Sequence, residues 1–341
     1  MSVLTGPLDL SSPEPAALPP GLPTLSPLPR FAVNITPPDL SPWREPGSGI
    51  AGVVRLDSNR PGPHVALTAL MHGNEFAGAI VLDRLLRSGF RPLRGRLTVA
   101  FLNLEAFDRF DAGNPTASRF VEEDMNRLWD PAILGGPRRS RELDRARAVL
   151  PALDDAEMLL DLHSMLWPSE PLILSGPTEA GRRLGATIGV PALVVSDAGH
   201  SSGPRLIDYA PFADPAGSRR ALLVEAGPHW EPDTVDVTRA SVRALLERTG
   251  LGVPSPSDAA ADNHRSPVRS AEVTRVVTVS TNAFSFVRPF RGGEIVPVAG
   301  TTIAHDGGTE IRTPHDDCLL VMPSLRPSRG HTAVRLARLV G

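Results

Sequence analysis

Short apolar runs that alternate with helix-like stretches constrain the fold of this chain more than any other feature. The runs 64–70 and 97–103 are almost wholly apolar, and the segment 76–86 between them has apolar residues at helical spacing. Strands of this kind are buried on both faces, because helices cover the sheet. The pattern predicts an α/β fold. Predicted strands are 50–56, 64–70, 97–103, 158–162, 171–174, 192–196 and 220–227, and predicted helices are 76–86, 140–150, 179–185 and 235–248.

A histidine and a glutamate follow one of these runs at a spacing that suits a metal site. His72 and Glu75 come directly after the first run, and His163 and Glu225 end two later ones. In open α/β sheets, ligands bind beyond the carboxyl ends of the strands, so these side chains are expected to meet. Imidazole and carboxylate suit Zn²⁺, whose catalytic sites use three protein ligands and leave one position for water. The residues predict one Zn²⁺ per subunit, with cobalt or manganese as alternatives.

Two further carboxylates have expected roles beside this centre. Glu225 suits a base that takes a proton from metal-activated water. Asp161 lies two residues before His163 on the same side of its strand, and is expected to orient that ligand.

Composition excludes several classes of protein. A chain of 341 residues that is 41% hydrophobic can bury a full core, and a net charge of −3 argues against a nucleic-acid partner. Cys318 is the single cysteine, so there is no intrachain disulfide framework. The absence of lysine removes Schiff-base chemistry and biotinyl or lipoyl attachment. Without a signal-like segment or an apolar run of roughly 20 residues, a cytoplasmic protein with no membrane association is expected.

The segment Asn114-Pro115-Thr-Ala-Ser-Arg119, followed by Asp124-Met-Asn126-Arg127, carries the most specific signal. Together with the earlier His-x-x-Glu pair and the later strand-end histidine, it closely resembles the succinylglutamate desuccinylase and aspartoacylase family, which is related to zinc carboxypeptidases. The resemblance covers about residues 50 to 341. It implies a mixed central sheet flanked by helices, zinc carboxypeptidase-like, with a small C-terminal all-β domain.

The resemblance also implies a role for each matched residue. Zinc would be bound by His72, Glu75 and His163, and Glu225 would act as general acid and base. Arg119 would polarise the scissile carbonyl, because an arginine facing a developing oxyanion stabilises it in the transition state. The remaining pair, Asn126 and Arg127, would hold a substrate carboxylate, which the planar guanidinium grips with two hydrogen bonds.

The chain departs from the family pattern at two substrate-binding positions. The family's second arginine, about ten residues before the catalytic glutamate, is missing from the stretch 212–216. Arg205 is a candidate replacement, the alternative being a solvated loop arginine. The family's C-terminal tyrosine is also missing, and His331 is the candidate there, the alternative being a surface histidine. Two other histidines, His200 and His229, are candidates for the rim of the cleft.

Composition divides the chain into four predicted parts. Residues 1–48 are an extended Pro-rich arm, and 49–253 form the zinc-binding α/β catalytic domain. A linker at 254–267 leads to a C-terminal β domain, 268–341, expected to cover the cleft. Its predicted strands are 272–279, 283–287, 293–296, 301–304 and 318–322.

The expected function is that of a zinc-dependent amidohydrolase or deacylase that cleaves an N-acyl amino acid or a similar small carboxylate-bearing amide. The alternative within the same chemistry is a zinc carboxypeptidase acting on short peptides. A non-enzymatic binding module is the rival of another class, suggested by the turn-rich stretch 307–317, although the lack of lysine excludes its carrier version. The expected partner is a small molecule, and a homo-oligomer is left open.

Overall fold

Parallel strands with residues buried on both faces form the part of the protein that carries the predicted site. A computed structural model describes residues 30–45, 47–200, 202–253 and 266–340. Within these ranges the strands are β1 (Val53–Asp57), β2 (His64–Ala69), β3 (Arg96–Phe101), β4 (Met158–Met165), β5 (Leu172–Leu174), β6 (Leu193–Ser196), β7 (Arg220–Pro228), β8 (Arg269–Thr278), β9 (Phe284–Phe286), β10 (Ile295–Val296), β11 (Thr302–Asp306), β12 (Thr309–Arg312), β13 (Cys318–Val321) and β14 (Thr332–Val340). The α-helices are α1 (Ala77–Arg87), α2 (Leu104–Asp108), α3 (Pro131–Gly135), α4 (Arg141–Leu153), α5 (Glu179–Ile188), α6 (Ala210–Ala213) and α7 (Pro232–Arg248).

Eleven of the strands in the described ranges form one mixed sheet. Their order is β1-β3-β2-β4-β7-β5-β6-β8-β14-β13-β10. The neighbours β3, β2, β4 and β7 run parallel, and β5 is antiparallel to β7. Because parallel strands share one carboxyl edge, the residues after β2, β4 and β7 lie together. This arrangement confirms the predicted mixed α/β fold.

Helices cover both faces of this central part. On one face, α4 packs in the same core cluster as Ala66 and Leu159. Gly78 of α1 contacts the other face, where a Cβ atom at residue 78 would lie 2.8 Å from the Cβ of Leu162 and 3.0 Å from that of Ala69. Since successive strand residues point to opposite faces, β2 and β4 must be apolar throughout, as the sequence predicted.

The helices begin where local capping chemistry allows. Ser140 accepts a hydrogen bond from the backbone of Leu143 at the start of α4, and Thr178 accepts one from Gly181 at the start of α5. The helix α5 ends at Ile188 and is capped by Gly189, whose φ of 65° is left-handed. The four predicted helices are all present, with α7 starting three residues earlier than predicted, at Pro232.

The C-terminal strands continue the same sheet, since β8 pairs in parallel with β6. A second sheet of three antiparallel strands, β12-β11-β9, packs with them around an all-β core that contains Val277, Ile303 and Leu336. The described residues from Val33 onward form one compact unit. The predicted C-terminal β region is therefore present and hydrogen-bonded to the α/β sheet, while its division from that sheet as a domain stays a prediction.

Several predictions fall outside the described residues or were incomplete. Most of the Pro-rich arm, 1–29, and most of the linker, 254–265, lie outside them. The long strand β14 was not predicted, although it pairs with both β8 and β13. Among the described helices, none combines the length and the apolar character needed to cross a membrane.

Candidate active site

The predicted site residues meet at the carboxyl edge of the parallel strands. Residue 69 of β2 is the register partner of residue 162 of β4. In the same way, His163 of β4 is the register partner of Glu225 of β7. The loop that follows β2 carries His72 and Glu75 to the same edge. Strand order thus explains why ligands 88 residues apart can share a centre.

The loop between β2 and α1 is held in a tight, specific shape. Leu70 is buried and has a left-handed backbone with φ of 61°, which a non-glycine residue rarely adopts. Gly73 donates its backbone N–H to the carbonyl of Arg119 at 3.1 Å. A Cβ atom at residue 73 would lie 2.3 Å from the carbonyl carbon of Ala106. Only glycine lets this loop approach the neighbouring backbone so closely.

His72, Glu75 and His163 form a buried set of possible metal ligands. The Nδ1 atom of His72 lies 2.8 Å from Oε1 of Glu75, and Nδ1 of His163 lies 2.9 Å from Oε2. One donor atom from each residue lies within 4.8 Å of the others. Each side chain is at most 4% exposed. Two imidazoles and one carboxylate are the donors that a catalytic zinc site uses.

A second carboxylate contacts the far nitrogen of each histidine. Nε2 of His163 lies 2.8 Å from Asp161, the contact that the sequence predicted. Nε2 of His72 lies 2.9 Å from Asp124. Partners of this kind fix the orientation of metal-binding histidines. The donor set and its supporting carboxylates therefore fit a divalent metal ion.

The charges in this cluster favour ionised side chains. Burial alone would raise the pKa of Glu75, but His72 and His163 lower it well below 4.5. Burial would lower the pKa of His163, whereas Asp161 and Glu75 raise it well above 6.5. Asp124 also has a lowered pKa, because His72 and Arg119 oppose the effect of burial. A cation at this position would replace the positive charge that the histidines supply.

Glu225 lies beside this set without a hydrogen-bond partner for Oε2. Its side chain is buried, and burial together with the charge of Glu75 raises its pKa to about 8, against the opposing effect of His163 and Arg119. A cation held by the neighbouring ligands would oppose this rise, because it favours the charged carboxylate. An unpartnered buried carboxyl is costly unless a ligand or water engages it.

Arg119 covers the metal-ligand set from the segment that the family pattern singled out. Its guanidinium donates to Glu75 at 3.0 Å and to Asp124 at 3.1 Å, and it lies 2.9 Å from Nε2 of His72. The side chain is 38% exposed.

Asn126 and Arg127, the residues predicted to bind a carboxylate, line one cavity. They differ in how many of their polar atoms already have a hydrogen-bond partner. Asn126 is buried, and its Oδ1 accepts from the backbone of Leu206 at 2.9 Å. Arg127 donates from Nε to Ser202 at 3.0 Å and from Nη1 to the carbonyl of Asn126 at 2.6 Å. Its Nη2 lies 3.9 Å from Asp124 and has no closer hydrogen-bond partner among the residues that the structure describes. Burial lowers the pKa of Arg127 to about 10.

The two candidate replacements for missing family residues have different surroundings. Arg205 is 2% exposed and donates to both oxygens of Asp197, at 2.6 and 3.0 Å, and to both oxygens of Asp208, at 2.7 and 2.9 Å. These two carboxylates accept hydrogen bonds from four of its five N–H groups. His331 is exposed and lies at the cavity wall.

These residues line a single cavity of about 590 Å³. Its walls come from the carboxyl edge of β4 and β7 and from the segment 119–127, and Met322, Pro323 and Ser324 close it from the C-terminal region. Apolar side chains such as Trp167 share the lining with the charged groups. The volume suits a small molecule.

The sequence reasoning missed several residues of this cavity. Arg335 of β14 lines it, and the signal was an arginine inside the apolar run 333–337. His229 and His200, predicted only as rim candidates, both line it. His229 contacts the hydroxyl of Ser164 at 2.7 Å, and burial lowers its pKa to about 4, so it is neutral at pH 7.

The fold and the site together define an α/β protein with a candidate metal centre at the carboxyl edge of its sheet. The family model of the succinylglutamate desuccinylase/aspartoacylase catalytic domain matches residues 61–246. The chain belongs to this family, which confirms the resemblance seen in the motifs.

Individual relatives agree with this assignment. Over 115 residues, 31% of this chain and 32% of the relative, the chain is 36% identical to a succinylglutamate desuccinylase of Pseudomonas syringae pv. tomato, so it spans about a third of that protein. The solved succinylglutamate desuccinylase of Vibrio cholerae has a TM-score of 0.66 at 20% identity, covering 84% of this chain and 85% of that one. The Vibrio parahaemolyticus enzyme has a TM-score of 0.65 at 19% identity, covering 85% and 87%. These structures share the fold.

Proposed function

We propose that the protein is a zinc-dependent amidohydrolase that removes the acyl group from an N-acyl amino acid or a similar small amide bearing a carboxylate. One observation carries the proposal: the buried Glu225 presents an unpartnered Oε2 in the cavity that also holds the His-Glu-His set. Names of the related desuccinylases support an amide substrate. The C-terminal wall of the cavity favours a small amide over a long peptide.

The metal would be held by His72, Glu75 and His163. When bound, zinc supplies a Lewis acid for the acyl carbonyl and lowers the pKa of a bound water toward about 7. Asp161 and Asp124 keep the two imidazoles oriented, each through a contact of 2.8 to 2.9 Å.

Glu225 moves the proton in this reaction. Its Oε2 accepts a proton from the attacking water and later delivers it to the nitrogen of the leaving amine, so that the same carboxyl serves as base and then as acid. Burial by the surrounding strands keeps bulk water away from this carboxyl.

Two arginines bind the charges of the substrate. Arg119 donates to the acyl oxygen as negative charge develops on it, while its contacts with Glu75 and Asp124 hold the guanidinium beside the metal-ligand set. Arg127 turns its Nη2 to the substrate carboxylate, with Ser202 fixing Nε. This pairing places the carboxylate of the amino acid beside Asn126.

A substrate panel tests the proposal. Zinc-loaded protein is incubated with N-acetyl, N-succinyl and other N-acyl amino acids alongside short peptides, and released primary amine is measured. The Glu225→Gln variant reports contaminating activity, and Glu272→Gln, which alters an exposed glutamate, is its matched control. Amine release from acyl amino acids alone supports the proposal. Cleavage of peptides alone would replace it with the carboxypeptidase alternative.

A further inference from the structure

Arg127 is the first member of a network of four hydrogen-bonded side chains. Its Nε donates to the Oγ of Ser202 at 3.0 Å. That Oγ lies 2.8 Å from Nδ1 of His200, and Nε2 of His200 lies 3.2 Å from Oγ1 of Thr332. The network joins three segments that are distant along the sequence, and its last member belongs to β14 of the C-terminal region.

The donors available fix the direction of each hydrogen bond in this network. A guanidinium can only donate, so Ser202 accepts from Arg127 and keeps its own O–H as the donor for His200. The backbone N–H of Ser202 also donates to Nδ1 of His200, at 3.4 Å. Nδ1 is therefore the acceptor, and the proton of the neutral imidazole lies on Nε2, which donates to Thr332. Every member of the network has a compatible partner.

The charges around His200 keep its imidazole neutral. Burial and the positive charges of Arg127, Arg335 and Arg205 lower its pKa to about 3. A protonated imidazole carries a hydrogen on both nitrogens and could not accept at Nδ1. The protonation state at pH 7 is thus the one that the network requires.

Backbone packing brings the residues after His200 against Arg127. A Cβ atom at Gly203, whose φ is 139°, would lie 2.4 Å from the carbonyl oxygen of Arg127. The backbone N–H of Leu206 donates to Oδ1 of Asn126 at 2.9 Å. Ser202 therefore reaches the guanidinium from a segment that is itself fixed beside it.

The network leaves one nitrogen of Arg127 for the substrate. Nη1 donates to the carbonyl of Asn126 at 2.6 Å, and Nε donates to Ser202, so two contacts fix the plane of the guanidinium. An arginine that is already fixed loses less conformational freedom when it binds a carboxylate. This preorganisation requires the Ser202 hydroxyl to point its hydrogen away from Arg127, and His200 is the acceptor that holds it so.

We propose that His200 is a positioning residue for substrate binding: it orients the hydroxyl of Ser202, which in turn fixes the guanidinium of Arg127, while Thr332 anchors the imidazole to β14. The inference rests on the proposed function and deepens it, since it names the group that prepares Arg127 for the substrate carboxylate. His200 acts through Arg127 and touches neither the reacting bond nor the metal ligands.

A double-mutant cycle tests this link with the N-acyl amino acid that the protein cleaves fastest. His200→Ala should raise KM roughly three- to tenfold and leave kcat unchanged, because only the binding of the carboxylate is weakened. In an Arg127→Met background the same change should have no further effect, because the residue through which His200 acts is gone. An equal effect of His200→Ala in both backgrounds would overturn the inference.

Two further variants separate positioning from folding. His200→Asn places an amide oxygen near the position of Nδ1 and should recover part of the lost affinity, whereas Thr332→Val removes the anchor and should raise KM less than His200→Ala does. His305→Ala and Thr309→Val change exposed side chains of the second sheet and should behave as wild type. Circular dichroism melting checks that each variant is folded, and the same cycle is run with His200→Asn if His200→Ala is not.

Nuclear magnetic resonance of isotope-labelled arginine and histidine requires no turnover, so it distinguishes this inference from the proposed function. The ring of His200 should be neutral at pH 7 with its proton on Nε2. The Nε–H signal of Arg127, assigned by its loss in Arg127→Met, should exchange slowly with solvent and faster in His200→Ala. These results support the network even where no amide is cleaved. A proton on Nδ1, or equal exchange with and without His200, would contradict it even in an active deacylase.

Discussion

His163 and Glu225 are register partners on the neighbouring parallel strands β4 and β7. The strand register therefore sets the proposed metal ligand beside the proposed base, with no loop between them. Strands position side chains more rigidly than loops do, which suits a proton transfer that tolerates little displacement.

The first prediction concerns the base. Glu225→Gln keeps the shape of the side chain but cannot take a proton, so kcat should fall by roughly 10²- to 10⁴-fold. Metal content, measured by elemental analysis, should stay at the wild-type value because the three proposed ligands are intact. Activity within tenfold of wild type would remove Glu225 from the proposed mechanism.

The second prediction concerns the glycine between the two proposed ligands of the first loop. In Gly73→Ala the new Cβ would clash with backbone atoms of Ala106, Phe107 and Ser118, at 2.3 to 2.6 Å. Relief requires the loop to move, so metal affinity and activity should both fall, with stability reduced by roughly 1–3 kcal/mol. Gly135→Ala, where a Cβ meets nothing within 4 Å, is the matched control and should behave as wild type. Unchanged metal affinity in Gly73→Ala would contradict this account of the loop.

The sequence predicted the part of the site that depends on strand order. His72, Glu75, His163 and Glu225 were predicted to meet because each follows or ends an apolar run, and the carboxyl ends of parallel strands share an edge. The family motif added the segment of Arg119. The assigned roles themselves stay predictions that the experiments above address.

The sequence pattern could not predict contacts between segments that are distant along the chain. Burial of Arg205 depends on Asp197 and Asp208, whose side chains converge only after the loop following β6 has folded. The strand β14 was missed because Arg335 and Arg338 interrupt its apolar run. Its place beside β8, and with it the position of Arg335 on the cavity wall, follows from pairing across about 60 residues.

The third prediction concerns the orientation of a proposed ligand. Asp161 accepts from Thr68 at 2.7 Å through Oδ1 and contacts His163 at 2.8 Å through Oδ2. Asp161→Asn removes the charge that supports the imidazole, so zinc affinity should fall by about 10- to 100-fold. Competition with a chromogenic chelator measures this loss. The control Asp236→Asn, at an exposed position of α7, should not change it, and equal affinities for both variants would argue that Asp161 serves folding alone.

The last prediction concerns Arg205, whose contacts favour a role in stability over substrate binding. Arg205→Met leaves Asp197 and Asp208 without their main partner, and breaking a buried pair costs roughly 3–5 kcal/mol. In the wild-type protein burial raises the pKa of Asp197, but the charges of Arg205 and Arg335 outweigh this effect and hold the pKa below 3.8. The ionised Asp197 therefore stabilises the fold above pH 3.8, and this stabilisation is lost at more acidic pH. Without Arg205 the carboxyl is buried and poorly paired, so the difference in unfolding free energy between the two proteins should grow from pH 4 to pH 7.5. Urea unfolding at both pH values measures this difference. A large increase in KM with unchanged stability would instead assign Arg205 to the substrate.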